Sequence, residues 1–168
     1  MNSMQELIVD KVTVNIGVGS PGERLEYASE LLSRLTGRKP VETTAKKRNP
    51  VFKLRKGLPI GVKVTLRGKN AIDFVTKGLA ANKNHLSSKA FDKLGNFSFG
   101  VREYIDFPGA KYDPKIGMMG FDICVTIAKK GARVARRRIK KSKIGKKHLV
   151  NVDEARAFVV KTFNAKIE

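Results

Sequence analysis

Three stretches of the chain alternate apolar and polar residues with a period of two. Val12, Val14, Ile16 and Val18 share one parity, and Lys11, Thr13 and Asn15 take the other. Ile60, Val62, Val64 and Leu66 interleave with Gly61, Lys63, Thr65 and Arg67, and Phe121, Ile123, Val125 and Ile127 with Asp122, Cys124 and Thr126. Successive side chains of a strand point to opposite faces, so each stretch predicts a strand buried on one side and wet on the other. No other feature restricts the fold as much, because a sheet of such strands needs cover on one face only. A shorter run, Asn96 to Tyr104, repeats the pattern with Phe97, Phe99 and Val101 on one side.

Helical spacing fills the intervals. Ser20, Pro21 and Glu23 predict a capped helix start, Leu25, Ala28, Leu31, Leu32 and Leu35 its apolar stripe, and Gly37 its stop. A second helix is predicted from Gly68 to about Ala81, with Ile72, Val75 and Leu79 on one face, Phe74 nearby and Gly78 as a weak point. A third follows Asn151, with Glu154 completing a cap. Ala155, Phe158, Val159 and Thr162 mark its inner face, with Phe163 beside it. Val41 to Thr44 reads as a short entry strand, and Asp106 to Gly120, with its prolines and glycines, as a loop. Asn82 to Leu94 is mixed, with room for one helical turn, and Met1 to Asp10 is expected to fray or add an edge.

The order is strand, helix, strand, strand, helix, strand, strand, helix. It predicts an α+β fold in a single domain over 1–168: a mostly antiparallel sheet with helices on one face and the other face open. That open face presents Thr13, Asn15, Lys63, Thr65, Arg67 and Thr126.

Charge says what such a face meets. The 168 residues hold 35 Lys and Arg against 15 Asp and Glu, a net charge of +20. A compact domain so charged repels itself, and a polyanionic partner relieves the repulsion. Nucleic acid is the first candidate and an anionic membrane surface the second. No apolar run approaches the roughly 20 residues of a spanning helix, and no basic segment has a clean Trp/Phe/Leu face, so no membrane partner is expected. The first thirty residues lack the pattern of a signal peptide. The single cysteine, Cys124, has no internal disulfide partner, which fits a reducing, cytoplasmic location.

The cations concentrate in two segments. A loop over 45–59 carries Lys46, Lys47, Arg48, Lys53, Arg55 and Lys56 and no acid. Phe52 and Leu54 lie among them, as in segments that stack on bases and track a phosphate backbone; the plainer alternative is a solvated loop that Phe52 pins to its own domain. The insert over 129–147 has eleven Lys or Arg in nineteen residues and no acid. It reads as a hairpin extension or a disordered insert. Arg133, Arg136, Arg137, Arg138, Lys140 and Lys141 are its candidate phosphate contacts, against the alternative of a solubilising or targeting tract.

Gly17, Gly19 and Gly22 spell G-x-G-x-x-G between a predicted strand and helix, with Glu42 near the position of a ribose-binding acid. The alternative function is therefore a small dinucleotide-binding enzyme. The same glycines also fit a plain tight turn, or a helix start holding an RNA phosphate. His85, His148 and Cys124 lack metal-ligand spacing. No catalytic constellation stands out, and no cofactor or metal is expected.

Four blocks carry a further signal: VTVNIGVGS over 12–20, LTGRKPVETTAKKRNPVFKLRKGLPIGVKVTLRG over 35–68, GNFSFGVREYIDFP over 95–108 and GFDICVTIA over 120–128. In this order they resemble ribosomal protein L-five, the universal large-subunit family that binds 5S rRNA. The basic insert before the last helix resembles archaeal and eukaryotic members more than bacterial ones, and an archaeal source fits the length best. The resemblance implies an α+β fold whose open face and adjoining loops bind 5S rRNA in the central protuberance. It implies 5S contacts for Asn15 in the VNxG motif and Thr65 in VTLR, and for Arg38, where the family often has glutamine. It implies that the 45–59 loop approaches the elbow of P-site tRNA through Lys46, Lys47, Phe52, Lys53 and Arg55. It also implies contact with 23S rRNA, the other 5S-binding large-subunit protein and a small-subunit head protein.

Overall fold

The protein, here as a computed structural model, is described for residues 2–168. In chain order its elements are β1 (Leu7–Gly17), α1 (Glu23–Thr36), β2 (Val41–Thr44), β3 (Pro59–Leu66), α2 (Lys69–Ala81), β4 (His85–Leu86), β5 (Phe97–Val101), β6 (Phe121–Lys129), α3 (Val152–Phe163) and β7 (Lys166–Ile167). Five strands form one sheet in the order β2-β3-β1-β6-β5, and every neighbouring pair is antiparallel. This is the α+β architecture that the alternation predicts.

The apolar parities all fall on one side. Val12, Val14 and Ile16 of β1, Val62, Val64 and Leu66 of β3, and Ile123, Val125 and Ile127 of β6 are buried in one core. Each such side chain, fully buried, contributes roughly 1.5–3 kcal/mol. α1 lies against β3, and α2 against β1 and β6.

Gly78 explains how α2 sits. A Cβ there would stand 2.5 Å from Cδ1 of Ile123 and 3.3 Å from the Phe99 ring. A mid-helix glycine costs about 1 kcal/mol relative to alanine, and here it lets the helix approach the sheet closely. That approach selects the inner face: Ala71, Phe74, Val75, Gly78 and Leu79 are buried, while Ile72 is 40% exposed. Ile72 therefore does not join the core as its spacing suggests.

The first helix also starts later than predicted. Gly22, at φ 128°, precedes Glu23, and Ser20 lies outside the helix without making the expected cap. Gly37, at φ 63°, ends it as expected. The cap at Asn151 does form: its N–H donates to the Glu154 carboxylate at 3.5 Å. On α3, Ala155, Val159 and Phe163 are buried, Phe158 is half-buried and Thr162 is exposed.

Residues Leu7 to Asp10 neither fray nor form an edge. They continue β1, the central strand, and pair with the end of β6; Met1 lies outside the described residues. The register slips by one residue between Val9 and Lys11, so Asp10 is the extra residue of a β-bulge. The bulge changes the inward parity from Leu7 and Val9 to Val12, Val14 and Ile16 without interrupting the strand. A second small sheet pairs β4 with β7 in parallel, with His85 opposite Lys166. The sequence reading did not anticipate it, although the expected helical turn in this region is present at Ser88–Ala90.

Candidate nucleic-acid interface

Strand register arranges the uncovered face into rows. One row runs Ser98, Cys124, Thr13, Thr65 across β5, β6, β1 and β3. The next runs Gly100, Asp122, Asn15, Lys63 and reaches Val41 on β2. A third joins Gly17, Gly61 and Thr43, and at the other end Lys11 stands opposite Thr126. Neighbouring strands lie about 4.8 Å apart and residues two apart on a strand about 7 Å. Asn15 and Thr65 are thus diagonal neighbours on one side of the sheet, as the alternation requires.

These side chains belong to solvent. Lys63, Thr65, Ser98, Asp122 and Cys124 are exposed, and Lys11, Thr13, Asn15 and Thr126 half-exposed. Gly17, Gly61 and Gly100 keep parts of the surface low. At Gly61 a Cβ would lie 2.8 Å from the Ile16 carbonyl and 2.9 Å from the Thr43 hydroxyl. The result is an uncovered polar surface four strands wide, with donors and acceptors at spacings set by strand register. Partial burial, and secondarily the nearby Asp122 charge, push the Cys124 thiol above its ordinary range.

Arg67 does not extend this surface freely. It lies 3.6 Å from the Asp10 carboxylate and donates to the Asp10 carbonyl at 3.4 Å. The same carboxylate accepts two bonds from Arg136, at 2.6 and 2.8 Å. Those bonds from Arg136 hold the Asp10 carboxyl below its usual range, against the opposing effect of burial, and raise the Arg136 guanidinium. The bulge thus re-aims one acid into a clamp on two predicted RNA contacts.

The clamp is one of the contacts that tie the insert to the domain, and the insert is not a hairpin. Short helical turns occupy Ala132–Ala135 and Lys146–His148. Lys129 is buried and lies 2.7 Å from Glu154, whose carboxyl it lowers. Lys130 pairs with Glu6, and the His148 ring meets the Lys130 carbonyl at 2.9 Å. Arg137 donates to the Lys140 carbonyl at 2.7 Å. Arg133, Arg138, Lys140 and Lys141 are exposed.

The 45–59 loop prolongs the β2–β3 hairpin. Ala45 donates to Leu58 at 2.8 Å, Gly57 to Ala45 at 2.9 Å, and Asn49 and Leu54 bond reciprocally further out. A turn from Pro50 to Lys53 closes the arm. At its tip Val51 is 84% and Phe52 70% exposed, so Phe52 does not pin the arm to the domain. Lys46, Lys47, Lys53 and Arg55 are exposed along it. Arg38 is exposed on the short connection from α1 to β2, just beyond Gly37 and apart from the sheet rows.

The dinucleotide reading fails on topology. That fold needs parallel strands joined through helices, whereas β1 runs antiparallel to both its neighbours. Gly19 and Gly22 have positive φ and bend the chain between β1 and α1. Among the described residues there is no group of three or more His, Cys, Asp or Glu fit for a metal, and no helix is long and apolar enough to cross a membrane.

Two family models match in sequence order. One, described as ribosomal protein L5, covers residues 2–55, and the other, described as the C-terminus of the same ribosomal family, covers 59–159. The chain belongs to the ribosomal protein L5 family. The large ribosomal subunit protein uL5 of Methanococcus maripaludis strain C7 is 52% identical over 98% of the chain and 92% of its own length. The uL5 of Methanococcus vannielii gives the same values, and that of Sulfurisphaera tokodaii is 51% identical over 99% of the chain and 95% of its own length. The two family matches meet in the arm, and one sheet runs through both because β1 pairs with β3 and β6. Membership of a ribosomal protein family accounts for the large excess of cations.

The sequence reading missed the positioning roles of Asp10 and His148, and it placed Glu154 in the helix cap without its second role as the partner of Lys129. The available signal was scarcity: in a chain with 15 acids and 35 cations, each acid has a choice of partners. Nothing local in the sequence shows which cation each one holds.

Proposed function

We propose that the chain is a structural constituent of the large subunit of the cytoplasmic ribosome and that its uncovered sheet face binds 5S rRNA, helping to form the central protuberance. The observation that carries this reading is the ladder of exposed and half-exposed polar groups, Thr13, Thr65, Asn15 and Lys63, whose positions the strand register sets. Such a surface reads single-stranded or irregular RNA by hydrogen bonds and shape. Asn15 and Thr65 supply the specific contacts, Thr13 and Lys63 flank them, and Arg38 adds a phosphate contact from the edge. Arg67 contributes only from within its pair with Asp10. Arg133, Arg137, Arg138, Lys140 and Lys141 reach further rRNA phosphates, and Arg136 chiefly fastens the insert that carries them.

The arm has a separate role. Phe52 at an exposed tip among Lys46, Lys47, Lys53 and Arg55 suits stacking and phosphate contact with P-site tRNA. The 23S rRNA, the second 5S-binding large-subunit protein and a small-subunit head protein are further proposed neighbours. The test is competition binding of the full chain to a methanococcal 5S rRNA transcript against unrelated RNA of equal length. The reading expects strong preference for 5S rRNA; equal affinity overturns it. Deletion of 46–58 should leave 5S binding intact and weaken P-site tRNA binding in assembled ribosomes. Loss of 5S binding on that deletion contradicts the division of roles.

A further inference from the structure

We propose that Asp122, with Asn15 beside it, reads the Watson–Crick edge of an unpaired guanine. The inference rests on the reading of this face as the 5S rRNA site and adds what the face selects.

Asp122 is an anomaly there. It is an exposed carboxylate in the middle of the surface offered to a polyanion, directly opposite Asn15. Several other acids hold cations: Glu6 holds Lys130, Asp10 holds Arg136, Asp113 holds Arg34 and Glu154 holds Lys129. Among the described residues Asp122 has no such partner, and neither have Glu23, Glu26, Glu42, Asp73, Asp92, Glu103 and Asp106, but of these Asp122 is the one that stands in the rows of the uncovered face. An ionised carboxylate only accepts hydrogen bonds and repels phosphate. An RNA that meets it directly must therefore bring donors to it.

Guanine meets that demand best. Its N1–H and N2 amine are adjacent donors, matched to the two oxygens of one carboxylate, and charge-assisted pairs of this kind are the stronger ones. The acceptor O6 beside them needs a donor, which the Asn15 amide supplies from the neighbouring strand. Adjacent paired residues in an antiparallel sheet lie about 5 Å apart at Cα, the scale of a base edge. Gly100, opposite Asp122 on its other side, has no side chain to block the approach; even a Cβ there would stand 3.3 Å from Oδ1 of Asp122. Lys63, beyond Asn15 in the same row, is left for the phosphate of the same or the next nucleotide. One row thus separates base recognition from charge.

The test uses the full chain and methanococcal 5S rRNA, comparing wild type with Asp122→Asn. Removal of a negative charge should tighten binding if the face acts by charge alone. Guanine reading instead predicts weakening by roughly 5-fold to 100-fold, with the salt dependence unchanged. Interference mapping adds a second readout, using 5S transcripts with sparse inosine, which lacks the N2 amine, in place of guanosine. The wild type should show at least one guanosine where inosine interferes, and Asp122→Asn should lose that interference. Unchanged or tighter binding by the variant overturns the inference while leaving the 5S reading intact. So does interference by 2′-deoxy analogues alone, which would assign the carboxylate to a ribose hydroxyl. Failure of the wild type to prefer 5S rRNA removes the underlying reading as well.

Discussion

The open sheet face and the 129–147 insert both offer polar groups to RNA, but they hold them in different ways. On the face, strand register sets the positions of Thr13, Asn15, Lys63 and Thr65, and most of the hydrogen-bonding capacity is left free. In the insert, charge is abundant but part of it is internal: Lys129, Lys130 and Arg136 pair with Glu154, Glu6 and Asp10. The face suits recognition, because strand register fixes the backbone positions from which its donors project. The insert suits attraction, because exposed cations on irregular backbone reach phosphates without reading bases.

The largest expected effect breaks the insert's half of that contrast. Replacement of Arg133, Arg137, Arg138, Lys140 and Lys141 by glutamine should flatten the log–log salt dependence of RNA binding by roughly 0.7–0.9 for each phosphate no longer neutralised. With all five replaced, affinity at low salt should fall by orders of magnitude, and by similar factors for 5S and unrelated RNA. Filter binding across a salt series measures both. A loss confined to 5S rRNA would show that the insert reads sequence or shape.

A smaller effect tests the face. Asn15→Ala combined with Thr65→Ala should weaken 5S binding by roughly 10-fold to 100-fold, leave unrelated RNA nearly untouched and keep the salt slope. If the slope changes as it does for the insert variant, the two regions do not divide the work.

The smallest effect concerns the clamp that joins them. Asp10→Asn removes the acceptor for Arg136 and Arg67 and should destabilise the fold by about 1 kcal/mol near neutral pH, a modest value because Arg136 is half-exposed. The folded-state pKa of Asp10 is depressed. Its stabilisation is therefore fully present above the unfolded carboxylate value of about 3.9 and is lost as pH falls through the lower folded value. Denaturation curves for wild type and variant should converge in that acid window and separate above it. A constant difference across the whole range would mean that the ion pair contributes nothing.

The parts legible in the sequence were those that local periodicity determines. The four main strands, the single open face and the positions of Asn15 and Thr65 on it follow from alternation alone, since a one-residue error would bury lysines and expose valines. The features that escaped depend on distant partners. Asp10 and Arg136 are 126 residues apart in sequence, and β4 pairs with a two-residue strand at the other end of the chain. Ile72 looked inward because helical spacing alone cannot weigh the close approach at Gly78. Ser20 looked like a cap because the pattern of a capping box does not encode the backbone turn at Gly22. At the candidate site the cations were countable from the sequence, but the acids that hold Arg67 and Arg136 were not assignable.

The most direct probe of the face is already in the protein. Cys124 is the sole cysteine, is exposed, and stands in the row between Ser98 and Thr13. Its raised thiol calls for alkylation at or above the ordinary thiol value of about 8.5. Saturating 5S rRNA should slow its alkylation severalfold, while an unrelated RNA attracted through the insert should slow it much less. Unchanged alkylation with 5S rRNA fully bound would place the RNA elsewhere and contradict the account.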